Sequence, residues 1–472
     1  MERIIGRISQ KEQLEDLYYS DNAEFAVVYG RRRVGKSYLV TEYFDNKFAF
    51  RHTGLSNVEM EDENILTQQL KAFGMSLRKY GSKERRAPKD WIEAFAWLED
   101  LLEATDSGER QVVFLDEMPW MDTPRSGFIT AFEHFWNGWG ASRHNLLLIV
   151  CGSATSWLSD KLINNHGGLY NRVTKEIYLE PFTLKECEDY YQSRGISIDR
   201  KHQIEAYMVF GGIPYYLSLI NKRYSLSQNI DLLLFNRKGQ LRDEFNRLFD
   251  SLFINPDDYK KVVRYLAKKK EGFLRKEIAE GTGIPYGGGL TTILKTLEIS
   301  NFISAYTNFN ASSRQTYYKL SDNFLIFYIT FVEDKSNGEN FWTSYSLSPR
   351  LNTWRGLAFE RVCFAHIKNI KQKLGIAGVD TICAPWRNDK AQIDMLISRA
   401  DGVINLCEIK YYDSEYEITK DDDKTLRNKI ANFMEHINKN QSLHLTIIAS
   451  HGLKRNMYSN MVQSVVVGDD LF

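Results

Sequence analysis

The chain has 472 residues, 43% of them apolar and 13% aromatic, enough to bury several cores and to read as a multidomain globular protein of roughly three or four units. Its 61 basic residues balance 61 acidic ones, so no global field draws it to nucleic acid or to a membrane, and any such contact must come from a local patch. The amino terminus is charged from residue 2 and no segment reaches about 20 uninterrupted apolar residues, so neither a signal peptide nor a bilayer span is expected. Cys151, Cys187, Cys363, Cys383 and Cys407 lie far apart without a CxxC pair, which reads as reduced core thiols in a cytoplasmic protein.

Residues 24–40, EFAVVYGRRRVGKSYLV, give a short apolar strand, then Gly30-x-x-x-x-Gly35-Lys36-Ser37, then an apolar-periodic helix. This is the Walker A pattern in its proper context. The glycines let backbone N–H groups curl around phosphates, Lys36 neutralises the β and γ oxygens, and Ser37 offers a hydroxyl to Mg²⁺ at a helix N-terminus. QVVFLDEMPW, residues 111–120, is a buried-strand run ending in Asp116 and Glu117. After a Walker A it reads as Walker B, with Asp116 holding Mg²⁺ through water and Glu117 orienting or deprotonating the attacking water. The next run, NLLLIVCGSATSWL, ends in Ser153. Placed between the two Walker strands, this serine either touches the γ-phosphate or the water, or caps the following helix. Further on, Arg172 stands in a Gly-flanked segment before another strand, either as a transition-state arginine or as a surface arginine in a salt bridge.

IIGR at 4–7, YGRRRVGKS at 29–37, FLDEMPW at 114–120, CGSA at 151–154, YNRV at 170–173 and FGGIPYYL at 210–217 together make about the first 235 residues resemble the prokaryotic AAA+-like ATPases related to the archaeal ATPase group. The resemblance implies an ATP phosphohydrolase with a P-loop core over 1–178 and a helical lid and linker over 179–250. ATP or ADP would lie along Gly30, Arg31, Arg32, Arg33, Val34, Gly35, Lys36, Ser37 and Tyr38, with Ile5 and Gly6 near the adenine and Mg²⁺ at Ser37 and Asp116. By the same resemblance Ser153 is sensor 1, Arg172 is the candidate arginine finger, and Gly211 to Tyr216 belong to the lid. A finger acting in trans would require a homo-oligomer. The lid offers no convincing sensor 2 arginine.

Residues 251–332 read as three helices followed by a hairpin, the order of a winged helix-turn-helix. Lys260, Lys261, Arg264, Lys268, Lys269, Lys270, Arg275 and Lys276 make its first half basic, as a phosphate-binding face needs. The third helix offers chiefly Lys295 against Glu298 for base reading, so a packing module with solvated lysines is the other reading. From 340 to 472 the order is an amphipathic helix carrying Glu360, the run ending in Asp394, the strand NLCEIKYY, a helix and the strand LHLTIIAS. Glu408 and Lys410, two apart on a strand, point to one face, and Asp394 joins them across an antiparallel hairpin.

That order, with Glu360, Asp394 and Glu408-x-Lys410, resembles the PD-(D/E)xK nuclease fold. It implies a second Mg²⁺ or Mn²⁺ held by Asp394, Glu408 and the Ile409 carbonyl, with Glu360 as an outer ligand and Lys410 positioning the water or stabilising the phosphorane charge. The acidic run DSEYEITKDDDK at 413–424 would repel a DNA backbone if it lay beside the site. The expected protein is thus an α/β P-loop ATPase with helical lid, winged helix and nuclease-like domain, acting on nucleic acid, DNA in particular. The alternative is a nucleotide-dependent signalling or interaction protein whose nuclease-like domain cuts nothing.

Overall fold

The computed structural model describes residues 4–56, 65–153, 155–163, 167–253, 255–307, 309, 316–334, 336–345, 348–438 and 440–472. The chain divides into two compact units, one of Met1–Pro181, Asn246–Asp257 and Lys295–Asn301, the other of Phe182–Phe245, Asp258–Leu294 and Phe302–Phe472.

The first unit is built on five strands: β1 (Glu24–Gly30), β2 (Phe50–Thr53), β3 (Gln111–Asp116), β4 (Leu146–Cys151) and β5 (Lys175–Leu179). All pairings are parallel, in the order β2-β3-β4-β1-β5. Every residue of β3 and β4 is buried, which is why QVVFLD and LLLIVC run apolar without alternation: helices cover both faces of a parallel sheet. Because β4 lies between β1 and β3, the carboxyl ends of three adjacent strands, at Gly30, Asp116 and Cys151, share one edge. The helices Ile65–Lys79, Trp91–Ala104 and Phe128–Gly138 supply Phe73, Trp91, Phe95, Phe128, Phe132 and Phe135 to one buried aromatic cluster. Trp91 meets Phe128 edge-on with centroids 4.9 Å apart, one of many such pairs, each contributing about 0.5–1.5 kcal/mol beyond its buried area.

In the second unit the helix Leu184–Ser193 starts on a Thr183/Glu186 capping box, and Arg200–Phe210 ends on Gly211 at φ 64°, the left-handed conformation that glycine adopts without penalty. The helices Pro256–Leu266, Arg275–Thr282 and Gly288–Ile299 follow in sequence. The short β6 (Phe273–Leu274) joins a hairpin of β7 (Ile303–Thr307) and β8 (Thr316–Leu320) in the order β6-β8-β7. The turn of that hairpin lies outside the described residues apart from Phe309.

The members of the basic run mostly stand beside acidic or aromatic partners. Lys260 is buried, Lys261 pairs with Asp258, Arg264 with Glu333, Lys270 with Glu360 and Lys276 with Glu280. Lys268 and Lys269 lie over the rings of Tyr265 and Phe273, and Arg275 stacks on Tyr286. The helix Pro256–Leu266 spreads Lys260, Lys261 and Arg264 around its axis, while Lys268 to Lys270 follow it, and Arg264 and Lys270 meet acids distant in sequence.

The last segment forms a mixed sheet from β9 (Thr381–Arg387), β10 (Gln392–Arg399), β11 (Val403–Lys410), β12 (Ser442–Ala449) and β13 (Ser464–Val467), in the order β13-β12-β11-β10-β9. The β9–β10–β11 pairings are antiparallel and the β11–β12–β13 pairings parallel. Asp401 and Gly402, the glycine at φ 85°, turn β10 into β11. The helix Lys420–Met434 makes the crossover that two parallel strands require, burying Leu426 and Phe433 against Leu406, Leu445 and Ile447. The helix Pro349–Ala365 packs against β11. Four of the five cysteines are buried and none is disulfide-bonded. Among the described residues no helix is long and apolar enough to cross a membrane.

Candidate functional site

Two clusters of chemistry-bearing side chains stand out, one in each unit. In the first, Gly30 ends β1 at φ 143°, where a Cβ would stand 2.3 Å from the Leu179 carbonyl oxygen, so only glycine passes between β1 and β5. Gly35, at φ 91°, starts the helix Lys36–Tyr43. The loop between them closes on Lys36, which is 6% exposed and donates to the carbonyls of Gly30 at 3.0 Å and Arg31 at 3.1 Å. Burial pulls its ammonium below the ordinary lysine range, opposed by Cys151, Glu117 and Asp116. An anion entering the loop would replace the two carbonyls as the partner of this charge.

Ser37 donates from Oγ to Asp116 Oδ1 at 2.8 Å, and the Cys151 thiol donates to the same oxygen at 2.7 Å. The Asp116 carboxylate is therefore clamped from the helix Lys36–Tyr43 and from β4. A hydroxyl and a carboxylate oxygen so close are hard donors of the kind that hold Mg²⁺ together with substrate phosphates, and the pair fits that ion. Glu117 sits at φ 47°, a left-handed conformation uncommon outside glycine. Its carboxylate accepts from the Ser153 hydroxyl at 2.7 Å and from the Ser153 backbone N–H at 3.0 Å. Gly54, on the other side, has no room for a Cβ, which would meet the Glu117 carbonyl oxygen at 2.6 Å.

Of the other loop residues, Arg31 and Val34 are buried, Tyr38 is half exposed, and Arg33 adopts φ 73°. Arg32 donates to the Ser251 carbonyl at 3.3 Å. Ile5 and Gly6 precede Arg7, which reaches the carbonyls of Glu180 at 2.7 Å and Val34 at 3.2 Å. Arg172 is exposed and forms no ion pair among the described residues, so the salt-bridged alternative is not realised. Sequence reasoning missed Arg7, the Cys151 thiol and Arg51. Arg51 lies on β2 with Nη2 3.8 Å from Asp116 Oδ2 and its guanidinium over Phe114.

The second cluster lines a cleft of about 690 Å³ that includes Lys270, Arg355, Glu360, Lys390, Asp394, Glu408, Lys410 and Lys429. The β9–β10 register shifts between Ile393 and Leu396, a bulge that re-aims the side chain within it. That side chain is Asp394, whose Oδ2 accepts the Ile409 N–H at 3.0 Å. Glu408 is 4% exposed. Its Oε1 is 3.0 Å from Lys410 Nζ and its Oε2 accepts from Lys429 Nζ at 2.6 Å. Burial, then the charges of Glu408 and Glu360, push the Asp394 carboxyl well above the ordinary aspartate range, while Lys429 opposes them. Lys410 is raised overall: its burial acts to lower it, and Glu408 and Asp394 outweigh that.

The cleft thus brings together Asp394, Glu408 and Lys410, with Glu360 on its wall. Glu360 does not complete a three-carboxylate cage: it pairs with Lys270 at 3.3 Å, and among the described residues no three His, Cys, Asp or Glu side chains lie at metal-binding spacing. The charge of Glu360 nevertheless reaches Asp394, and an outer-ligand role for Glu360 stays part of the proposal below. Two carboxylates still suit a hard divalent cation that takes its remaining ligands from water and phosphate. Three of the six acids of the acidic run are ion-paired, Asp413 with Lys201, Glu417 with Lys454 and Asp423 with Arg427, and Asp422 closes the cap of its helix. Lys429 was not foreseen. It stands three residues after Leu426 and four before Phe433, the buried positions of its helix, and a lysine on an apolar stripe is the signal that could have found it.

Residues 7–220 match the family described as an ATPase domain predominantly from Archaea, which supports an ATPase built on the parallel-sheet core described above. An uncharacterized protein of Methanocaldococcus jannaschii is 24% identical over 414 residues, spanning 87% of this chain and 88% of that protein. Among solved structures, the Walker-type ATPase PABY2304 of Pyrococcus abyssi is similar at 20% identity and TM-score 0.46, over 70% of this chain and 96% of its own. The ORC2 protein of Aeropyrum pernix is similar at 13% identity and TM-score 0.41, over 71% of this chain and 94% of its own.

Proposed function

We propose that the chain is a Mg²⁺-dependent ATP hydrolase whose carboxy-terminal domain, over 340–472, is a metal-dependent nuclease of the PD-(D/E)xK type acting on DNA. The observation that carries the second half of this reading is the cleft in which Asp394, Glu408 and Lys410 converge on one hairpin face. Helices and hairpin over 251–332 support a winged helix there, and the pairs Arg264–Glu333 and Lys270–Glu360, whose acids lie beyond residue 332, favour a packing role for it.

In the first site Lys36 leaves its two carbonyls to neutralise the phosphates. Ser37 and Asp116 would hold a Mg²⁺, which would supply charge neutralisation at the phosphates. Glu117 is the base. Ser153 donates to both of its oxygens and so orients the carboxylate, which keeps a second lone pair on each oxygen for the attacking water. In the second site Asp394 and Glu408 would hold a divalent cation, with Glu360 as an outer ligand, and Lys410 would stabilise charge building on the scissile phosphate.

The test is a paired assay of ATP hydrolysis and plasmid cleavage, with Mg²⁺ or Mn²⁺, on wild type, Lys36→Ala and Asp394→Ala. Lys36→Ala abolishes hydrolysis; Asp394→Ala abolishes cleavage and leaves hydrolysis near normal. Cleavage that survives Asp394→Ala would refute the nuclease assignment. A second reading, a nucleotide-dependent interaction protein that cuts nothing, is favoured by one observation: both oxygens of Glu408 are already taken by lysines. Plasmid left intact by wild type under both metals, with ATP turnover normal, would establish that reading.

A further inference from the structure

Glu408 has one lysine too many for the role assigned to its strand. Lys410, two residues along β11, accounts for Oε1 at 3.0 Å. The other oxygen belongs to Lys429, which arrives from the crossover helix at 2.6 Å with its side chain 14% exposed and that of Glu408 6% exposed. The neighbouring positions on that helix face, Leu426 and Phe433, are buried in the core. The lysine therefore occupies an apolar stripe where a leucine or methionine would pack without desolvating a charge.

We propose that Lys429 is a built-in competitor for the divalent cation: its ammonium holds the Glu408 oxygen that the cation needs, and the ion loads only when Lys429 lets go. This deepens the nuclease reading above and rests on it. The exchange is a displacement of one cation by another on a carboxylate, with no bond made or broken in the chain. Lys429 also lines the cleft, so once displaced its ammonium stays within reach of a bound phosphate. Nucleic acid and metal would then favour each other's binding, since each stabilises the released lysine or the vacated carboxylate. A metal site held closed about nine-tenths of the time binds its ion about tenfold more weakly than one that is always open.

The experiment measures Mn²⁺ binding by titration calorimetry to the full chain, stripped of metal and nucleotide, in an Asp116→Asn background that silences the first metal site. Lys429→Met keeps the length and suits the apolar stripe, so it preserves the fold; Lys429→Arg keeps the charge. The expected result is Mn²⁺ binding about tenfold tighter in Lys429→Met than in the parent, no tightening in Lys429→Arg, and no binding in either background once Asp394→Asn is added. Equal affinity in the parent and Lys429→Met would overturn the competitor role while leaving the metal site standing. Absence of Mn²⁺ binding in both would overturn the metal site itself, and this inference with it.

Discussion

His52 offers a test of the core around the Walker B strand that needs no ligand. It lies on β2, whose next residue, Thr53, pairs with Asp116 on β3. The ring is 3% exposed; Nδ1 is 2.9 Å from the Ser76 hydroxyl, and Nε2 has no hydrogen-bond partner among the described residues. Desolvation pulls its pKa down from 6.5 to about 4. A histidine depressed in the folded state costs nothing while neutral. As pH falls below 6.5 the unfolded chain takes up a proton that the folded chain refuses, and stability drops until the folded ring titrates near 4. The full loss is about 3 kcal/mol, of which about 2 kcal/mol is reached by pH 5. Carboxylates titrate over part of this range, so the informative quantity is the difference between wild type and His52→Gln, which retains a polar group toward Ser76 without a titrating ring. Urea unfolding followed by tryptophan emission, at pH 7.5 and pH 5, is the assay. Wild type is expected to lose about 2 kcal/mol more than the variant over that interval. Parallel pH dependence in the two proteins would show that the ring is hydrated or charged in the fold, and the reasoning would fail.

Lys36→Ala is expected to lose nucleotide binding, measured with a fluorescent ADP analogue. Glu117→Gln keeps binding and loses about 10²–10⁴-fold in turnover; unchanged hydrolysis would remove Glu117 from the role of base. Arg172→Ala should slow hydrolysis with little change in ATP affinity if its charge meets only the transition state, and hydrolysis equal to wild type at every protein concentration would leave this arginine structural. Gly30→Ala forces a Cβ to 2.3 Å from the Leu179 carbonyl and should destabilise the first unit by more than about 2 kcal/mol in the same urea titration.

What the sequence makes legible here is what repeats along the chain or turns on short-range geometry. The runs QVVFLD and LLLIVC are continuous because both faces of β3 and β4 are covered, and the glycines of the P-loop mark φ values that other residues avoid. The parity of Glu408 and Lys410 on one strand, and the Asp-Gly turn before them, bring Asp394 alongside. What escapes is set by tertiary approach. Lys429 reaches Glu408 from 21 residues away and Arg7 reaches Glu180 from 173; no local pattern encodes either distance. The basic run is the opposite case: it is conspicuous in one dimension, yet its members stand beside Asp258, Glu333, Glu280 and nearby rings.

The first unit has a consequence for biosynthesis. It is assembled from three stretches of chain, the last two being Asn246–Asp257 and Lys295–Asn301, and the carbonyl that anchors Arg32 of the P-loop belongs to Ser251. A ribosome that has released Pro181 must add roughly 120 more residues before the unit has all its parts, an interval on the order of ten seconds at ordinary elongation rates. During that interval the five-stranded sheet is complete but its nucleotide loop lacks the Arg32–Ser251 tether, so the nascent chain can collapse around the aromatic core before the loop has all its contacts. A gene fragment cut at residue 181 or 220 stops the chain permanently in that condition.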